Sequence, residues 1–295
     1  MKYDVIIAGG GASGMTAAIT AARRGCSVLV LERMDRPGKK ILATGNGRCN
    51  LTDSYLDQDC YRGEKPGFPY SMLEVFGAAE TLDFFQSMGM LTTDLGGYYY
   101  PASMQASTVV DTLTGKMRQL GVHIKTGTEV KKIQKIKDTF HVTCGTEKYQ
   151  GRNVILAAGG MAQEKLGSNG SGYALAKAVG HTVTDVFPAL VALESEEKFF
   201  QHLAGVRNVS ALSVYVNGQK TAEQTGEVQF AKYGISGIPV FQVSRYAIDA
   251  LRKKKKVEVI LNLMPEQITL KELMDYFRKV GYYKTAEEFL QGFLN

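Results

Sequence analysis

The chain has 295 residues, of which 44% are hydrophobic and 22% charged, with 32 glycines and no tryptophan; this composition excludes disorder over most of the length, and the length predicts two domains rather than one core. The net charge of +6 is mild for that length and spread out, except at Arg252-Lys253-Lys254-Lys255-Lys256, which reads as a solvated helix end and argues weakly for a nucleic-acid or anionic-membrane partner. Cys26, Cys49, Cys60 and Cys144 lack C-x-x-C spacing, which excludes a secreted disulfide scaffold and fits a reducing cytoplasm, and no stretch reaches the roughly 18 apolar residues of a membrane span.

Tyr3 to Ala8 is an apolar run of strand length, suited to a parallel strand covered on both faces. A single lysine precedes it, an acid lies inside it, and it leads straight into glycines, so it is a first strand and not a signal peptide. Gly9 to Gly14 supplies G-x-G-x-x-G; MTAAITAARRG then has helical composition with a small-residue face and a stop at Gly25. A second strand, Ser27 to Leu31, ends at Glu32, 18 positions after Gly14. In that order each glycine has its own physical role, since Gly9 permits the tight turn, Gly11 lets backbone approach a pyrophosphate, and Gly14 lets helix and strand pack closely. The helix start at Ala12 and Ser13 offers unpaired amides to phosphate, and Glu32, followed by Arg33, is placed to accept from ribose hydroxyls. NAD and FAD share this fingerprint, which leaves both open.

Arg33 to Asn50 is a cationic, glycine-bearing excursion, GKKILATGNGRCN at its heart, where a simple NAD-binding domain would continue into a crossover helix and parallel strand. VHIKT (122–126), TEVKKIQKI (128–136) and TFHVTC (139–144) read as a β-meander, and NVILAAGG (153–160) as a buried strand running into a second glycine turn. From about Pro188 strands with hairpin turns are expected, Asn217-Gly218 being a turn signal, then a helix over 239–252, the strand VEVILNL, and helices over 270–280 and 285–293. His123, His141, His181 and His202 lack metal-ligand spacing, so no metal site is expected.

The succession of fingerprint, Glu32, meander and ILAAGG resembles the FAD domain of glutathione-reductase-type flavoproteins. More narrowly, GKKILATGNGRCN, YPASMQASTVVDTL (100–113), GSNGSGYALAKAVGH (167–181) and KYGISGIP (232–239) resemble the BaiN-type, YhiN-like flavoproteins, whose members carry labels such as aminoacetone oxidase or bile-acid reductase. The resemblance implies an α/β fold: a Rossmann FAD-binding domain with β-meander over 1–188, and a second, mixed β/α domain of the inserted, substrate-side type over 189–295. It implies that Lys40, Gly45, Asn46, Gly47, Arg48, Cys49 and Asn50 lie along FAD between pyrophosphate and flavin, that the backbone at Val130 meets the adenine, and that Ala158 and Gly159 close over the pyrophosphate. Arg48 is then the leading charge complement, against the alternative of a surface ion pair; Lys39 and Lys40 read equally as phosphate-facing or solvated, and Cys49 as a packing residue rather than a redox thiol.

Two departures accompany the likeness. The family's closing glycine-rich strand and helix of the FAD domain is not reached by Asn295, so the second domain is expected to be truncated. Ala231-Lys232 stands where the family has a threonine-histidine pair, and no catalytic residue is assigned. The implied activity is FAD-dependent hydride transfer between flavin and a nicotinamide or small organic substrate, with NAD(P)H the candidate electron donor. The alternative is a non-catalytic nucleotide-binding module. A single-cofactor NAD(P) dehydrogenase leaves the 38–50 loop without a purpose, and a tRNA-modifying role wants a more concentrated basic surface.

Overall fold

The apolar N-terminal run forms β1 (Lys2–Ala8), the fingerprint turns into α1 (Ala12–Arg23), and the chain returns as β2 (Val28–Leu31) parallel to β1, with Val5 beside Val28. The computed structural model describes residues 2–63, 65, 67–264, 269–280, 283, 285 and 288. It divides into two units, Met1–Thr184 and Asp185–Asn295.

After β2 the first unit makes a long detour through β3 (Thr52–Asp53), α2 (Tyr70–Leu73), α3 (Ala78–Gln86), β4 (Thr92–Leu95) and β5 (Tyr98–Pro101), the strands forming a small antiparallel sheet in the order β3-β5-β4. It comes back through α4 (Ala106–Gln119) into β6 (His123–Lys125), which pairs with β2 in parallel, Leu29 beside His123. β7 (Lys132–Ile136), β8 (Thr139–Cys144) and β9 (Glu147–Leu156) follow, and α5 (Ser171–Ala178) closes the unit. The main sheet has the order β6-β2-β1-β9-β8-β7. β9 serves both halves: its start pairs antiparallel with β8, and its end pairs parallel with β1, Ile6 beside Val154.

The meander therefore consists of β7, β8 and β9, and the segment VHIKT, expected within it, instead extends the parallel sheet at β6. Three strand residues are too few to reveal whether their partner is parallel, whereas the helix before them, α4, is what a parallel return requires. A crossover helix thus does follow Glu32, delayed by the detour.

Helices on one side and the 128–144 segment with α5 on the other explain why β1 from Val5 onward and all of β2 are apolar. Ile7 and Val30 pack with Met15 and Ile19 of α1 and Val109, Leu113 and Met117 of α4. Ile6, Leu29 and Leu31 point the other way, into a cluster with Val130, Val142 and Leu175. At the β1–α1 turn a Cβ on Gly14 would stand 2.0 Å from the Gly9 carbonyl oxygen, and one on Gly9 would stand 2.3 Å from that of Ala157.

The second unit contains β10 (Leu193–Glu194), α6 (Phe200–Leu203), β11 (Arg207–Val216), β12 (Gln219–Ala231), β13 (Gly234–Ser236), α7 (Ile238–Arg252), β14 (Val257–Asn262) and α8 (Leu270–Val280). Its antiparallel sheet runs β10-β13-β12-β11-β14, with Leu212, Val214, Val228 and Phe230 packed against Val240, Val243 and Ala247 of α7. Asn217 and Gly218 both have positive φ, 49° and 80°, which suits the β11–β12 hairpin. The helix expected over 285–293 lies outside the described residues but for Thr285 and Glu288. Among the described residues no helix is long and apolar enough to cross a membrane.

Because the atom facing Gly14 is backbone, Gly14→Ala must push α1 off β1. We expect a loss of about 1–3 kcal/mol in urea unfolding, the range for overpacking in a fixed core; a variant with an unshifted midpoint would contradict the contact.

Candidate functional site

The turn after β1 is held by one carboxylate. Glu32 is 8% exposed, and its Oε2 accepts from the Gly10 amide at 2.6 Å while Oε1 accepts from the Met34 amide at 2.7 Å. Each oxygen retains a lone pair for a further donor. Around this clamp opens a trough of about 340 Å³, lined by the first turn of α1 and the turn after β9.

Most residues expected at a cofactor meet here. Gly9, Gly11, Ala12, Ser13, Glu32, Arg33, Lys40, Val130, Ala158 and Gly159 all line the trough. A Cβ on Gly11 would meet nothing within 4 Å, so its hydrogen faces open space where a ligand can come close. Gly14 lies beneath, in the helix–strand contact and not on the trough. Arg33 places a buried Nη1 with no hydrogen-bond partner among the described residues, an orphan whose desolvation a bound molecule would offset.

The 38–50 loop divides. Lys40 and Thr44 reach the trough; Cys49 and Asn50 line a second cavity of about 680 Å³ that shares Ala12, Ser13 and Ile41 with the first. Gly45, Asn46, Gly47 and Arg48 are exposed and line neither. Their composition has a local cause: Gly45, Asn46 and Gly47 all take positive φ, and a Cβ on Gly45 would stand 2.9 Å from the Asn50 amide nitrogen. Asn50 in turn donates from Nδ2 to the Thr52 carbonyl at 3.1 Å. The cations on the trough wall are Arg33, Lys39 and Lys40 rather than Arg48, and Lys39 is paired with Asp35 at 3.0 Å.

Sequence reasoning missed Thr128, Glu129, Ser168, Ser171 and Leu175, which also line the trough. Glu129 pairs with Lys131, which, with hydrogen bonding by Asn169 and the Arg33 charge, holds its carboxyl below the usual range. The signal for the serines was present in GSNGSG (167–172): glycines and small polar residues directly before a helix repeat the logic of the N-terminal fingerprint.

These features fit a dinucleotide such as FAD. Open space at Gly11 and the amides of the α1 start would take phosphate oxygens, Glu32 the ribose hydroxyls, Arg33 and the apolar Leu31, Val130 and Leu175 the base. A family model described as HI0933-like protein Rossmann domain matches residues 3–269. The chain belongs to this family. The HI0933-like chain is 44% identical over 290 residues to a 3-dehydro-bile acid delta(4,6)-reductase of Clostridium scindens, covering 97% of itself and 71% of that protein. It is 29% identical over 252 residues to a ribosomal RNA dihydrouridine synthase of Escherichia coli, covering 83% of itself and 61% of that protein. A solved flavocytochrome c3 fumarate reductase aligns at 16% identity and TM-score 0.48 over 70% of this chain and 47% of that one, a likeness too slight to bear on function.

Thiol chemistry separates from this site. Burial pushes the Cys49 thiol up, against a smaller lowering by Thr44, and pushes Cys144 up to about 11. At pH 8 a thiol of that pKa is ionised in about one molecule in a thousand. We expect Cys60, which is exposed, to be alkylated by iodoacetamide in the folded protein, and Cys49 and Cys144 to react only on unfolding. Rapid labelling of native Cys49, read by mass spectrometry of its peptide, would be the contrary result.

Proposed function

We propose that the trough holds FAD and that the protein is a reductase, fed by NAD(P)H, of a small organic molecule bearing a carbon–carbon double bond conjugated with a carbonyl. At the coarser level the chain is an FAD-dependent oxidoreductase, by its family and its reductase relative. The observation that supports the cofactor reading is the convergence of Gly11, the α1 start, Glu32 and Arg33 on one trough.

Bound flavin supplies the hydride chemistry; the protein supplies position and charge. Glu32 orients the ribose end, and the amides of Ala12 and Ser13 neutralise phosphate, with Lys40 adding a cation from the trough wall. The substrate class rests on the names of the two relatives, which concern unlike molecules: a bile acid and a ribosomal RNA. Both reactions saturate a double bond, at Δ4,6 of a 3-dehydro steroid and in the uracil ring of uridine. In each the alkene is conjugated with a carbonyl, which leaves the β carbon electron-poor and ready for a hydride, with a proton completing the α carbon. The higher identity and greater coverage belong to the steroid reductase, and the dispersed charge favours a small molecule over RNA.

Purified protein is expected to be yellow with flavin absorbance, and Glu32→Ala to weaken FAD affinity about ten- to a hundredfold, the worth of one or two hydrogen bonds to a charged group. Flavin content equal to that of the unsubstituted protein would remove the ribose contact. With NAD(P)H under anaerobic conditions, a 3-oxo-4-ene steroid should lose its conjugated-enone absorbance. Flavin reduction by NAD(P)H without enone loss would reject the substrate class, and colourless protein that binds ADP alone would favour a non-catalytic nucleotide-binding module.

A further inference from the structure

The stretch GSNGSGYALAK, residues 167–177, borders the same trough, yet of its residues only Leu175 has so far been given a contact with FAD. α5 starts within it: Gly170 takes φ 78°, and Asn169 Oδ1 accepts from the Ser171 amide at 3.2 Å. The start of this helix is fastened to the turn after β9. The Gly170 amide donates to the Gly160 carbonyl at 3.0 Å, and a Cβ on Gly172 would lie 3.1 Å from that of Ala158.

Ser168, just before that helix, is 4% exposed and lines the trough, and its hydroxyl makes no hydrogen bond to another described residue. The point a Cβ would occupy on Gly159 is 2.8 Å from Ser168 Oγ and 3.9 Å from Lys40 Nζ. Lys40 has no ion pair among the described residues. Of the carboxylates on the trough, Glu32 is taken up by two amides and Glu129 by Lys131. A hydroxyl and an ammonium thus converge beside a glycine, neither of them held by another described side chain, an arrangement that leaves both donors to an incoming anion.

We propose that Ser168, Lys40 and the first turn of α5 form a second grip on the diphosphate of the dinucleotide, so that it is clasped between two helix starts. This rests on the reading that the trough takes FAD. The turn after β9 joins the two grips, Gly9 packing on Ala157 and Ala158 and Gly159 on Ser168. Each helix start carries about half a positive charge, and with the lysine these amount to about two, the charge a diphosphate brings. Gly159, with φ 72° and Ser168 Oγ 2.8 Å from where a Cβ would stand, leaves that space open for an oxygen.

The test measures binding of FAD, ADP and adenosine to the flavin-free protein by calorimetry, with Ser168→Ala, Lys40→Met and the double variant. Each single variant is expected to weaken ADP and FAD about tenfold and to leave adenosine, which has no phosphate, unchanged. Lys40→Met should also flatten the salt dependence of ADP binding. Melting temperatures of the flavin-free variants report folding separately, and Lys40→Met carries the test alone should Ser168→Ala be unstable. Undiminished ADP binding in both variants, or equal losses for adenosine and ADP, overturns the second grip. Wild-type protein that binds ADP but not FAD would defeat the flavin reading while the ADP series still decides the grip; binding of neither defeats both.

Discussion

A buried carboxylate that accepts two main-chain amides organises the first unit. Glu32 stands at the end of β2, yet it fixes the glycine turn that leaves β1, because its two oxygens take the amides of Gly10 and Met34. The charge is out of water and must be satisfied, so the turn cannot drift without leaving an acceptor bare. From that anchor follow the contact of Gly9 with Ala157, the start of α1 above Gly14, and an open face at Gly11. Beyond those two bonds each oxygen of Glu32 keeps a lone pair for a further donor.

The site built on this anchor uses main chain more than side chain. Helix starts and turn amides face the trough, and cations are few: Arg33 with an unpartnered nitrogen, Lys39 held by Asp35, and Lys40 free to turn inward. Such a surface suits a cofactor retained for many turnovers, since main-chain donors are held by secondary structure and need no reorganisation when the ligand binds. The trough is lined by residues between 8 and 175, all in the first unit, so its lining does not by itself prescribe a substrate.

The loop GKKILATGNGRCN shows two demands on one segment. Its beginning serves the trough through Lys40 and Thr44, and its end joins the second cavity through Cys49 and Asn50. Between them Gly45 to Gly47 meet the conformational needs of the turn itself, and Arg48 stands exposed. Glycine and asparagine are used there because left-handed backbone costs them least. The spacing of these glycines therefore has a structural cause of its own.

The N-terminal strand, glycine turn, helix, second strand and acid were legible from the sequence alone, because each is a local pattern read from residues a few positions apart, although the bond from Gly10 to the acid spans 22 positions. The hairpin at Asn217-Gly218 and α7 were legible for the same reason. Only tertiary structure decided that VHIKT joins the parallel sheet, that β9 belongs to both halves of it, and that Ser168 and Lys40 approach the same point beside Gly159. Those facts depend on pairing and packing between segments tens to more than a hundred residues apart, where composition and periodicity carry no record of the partner.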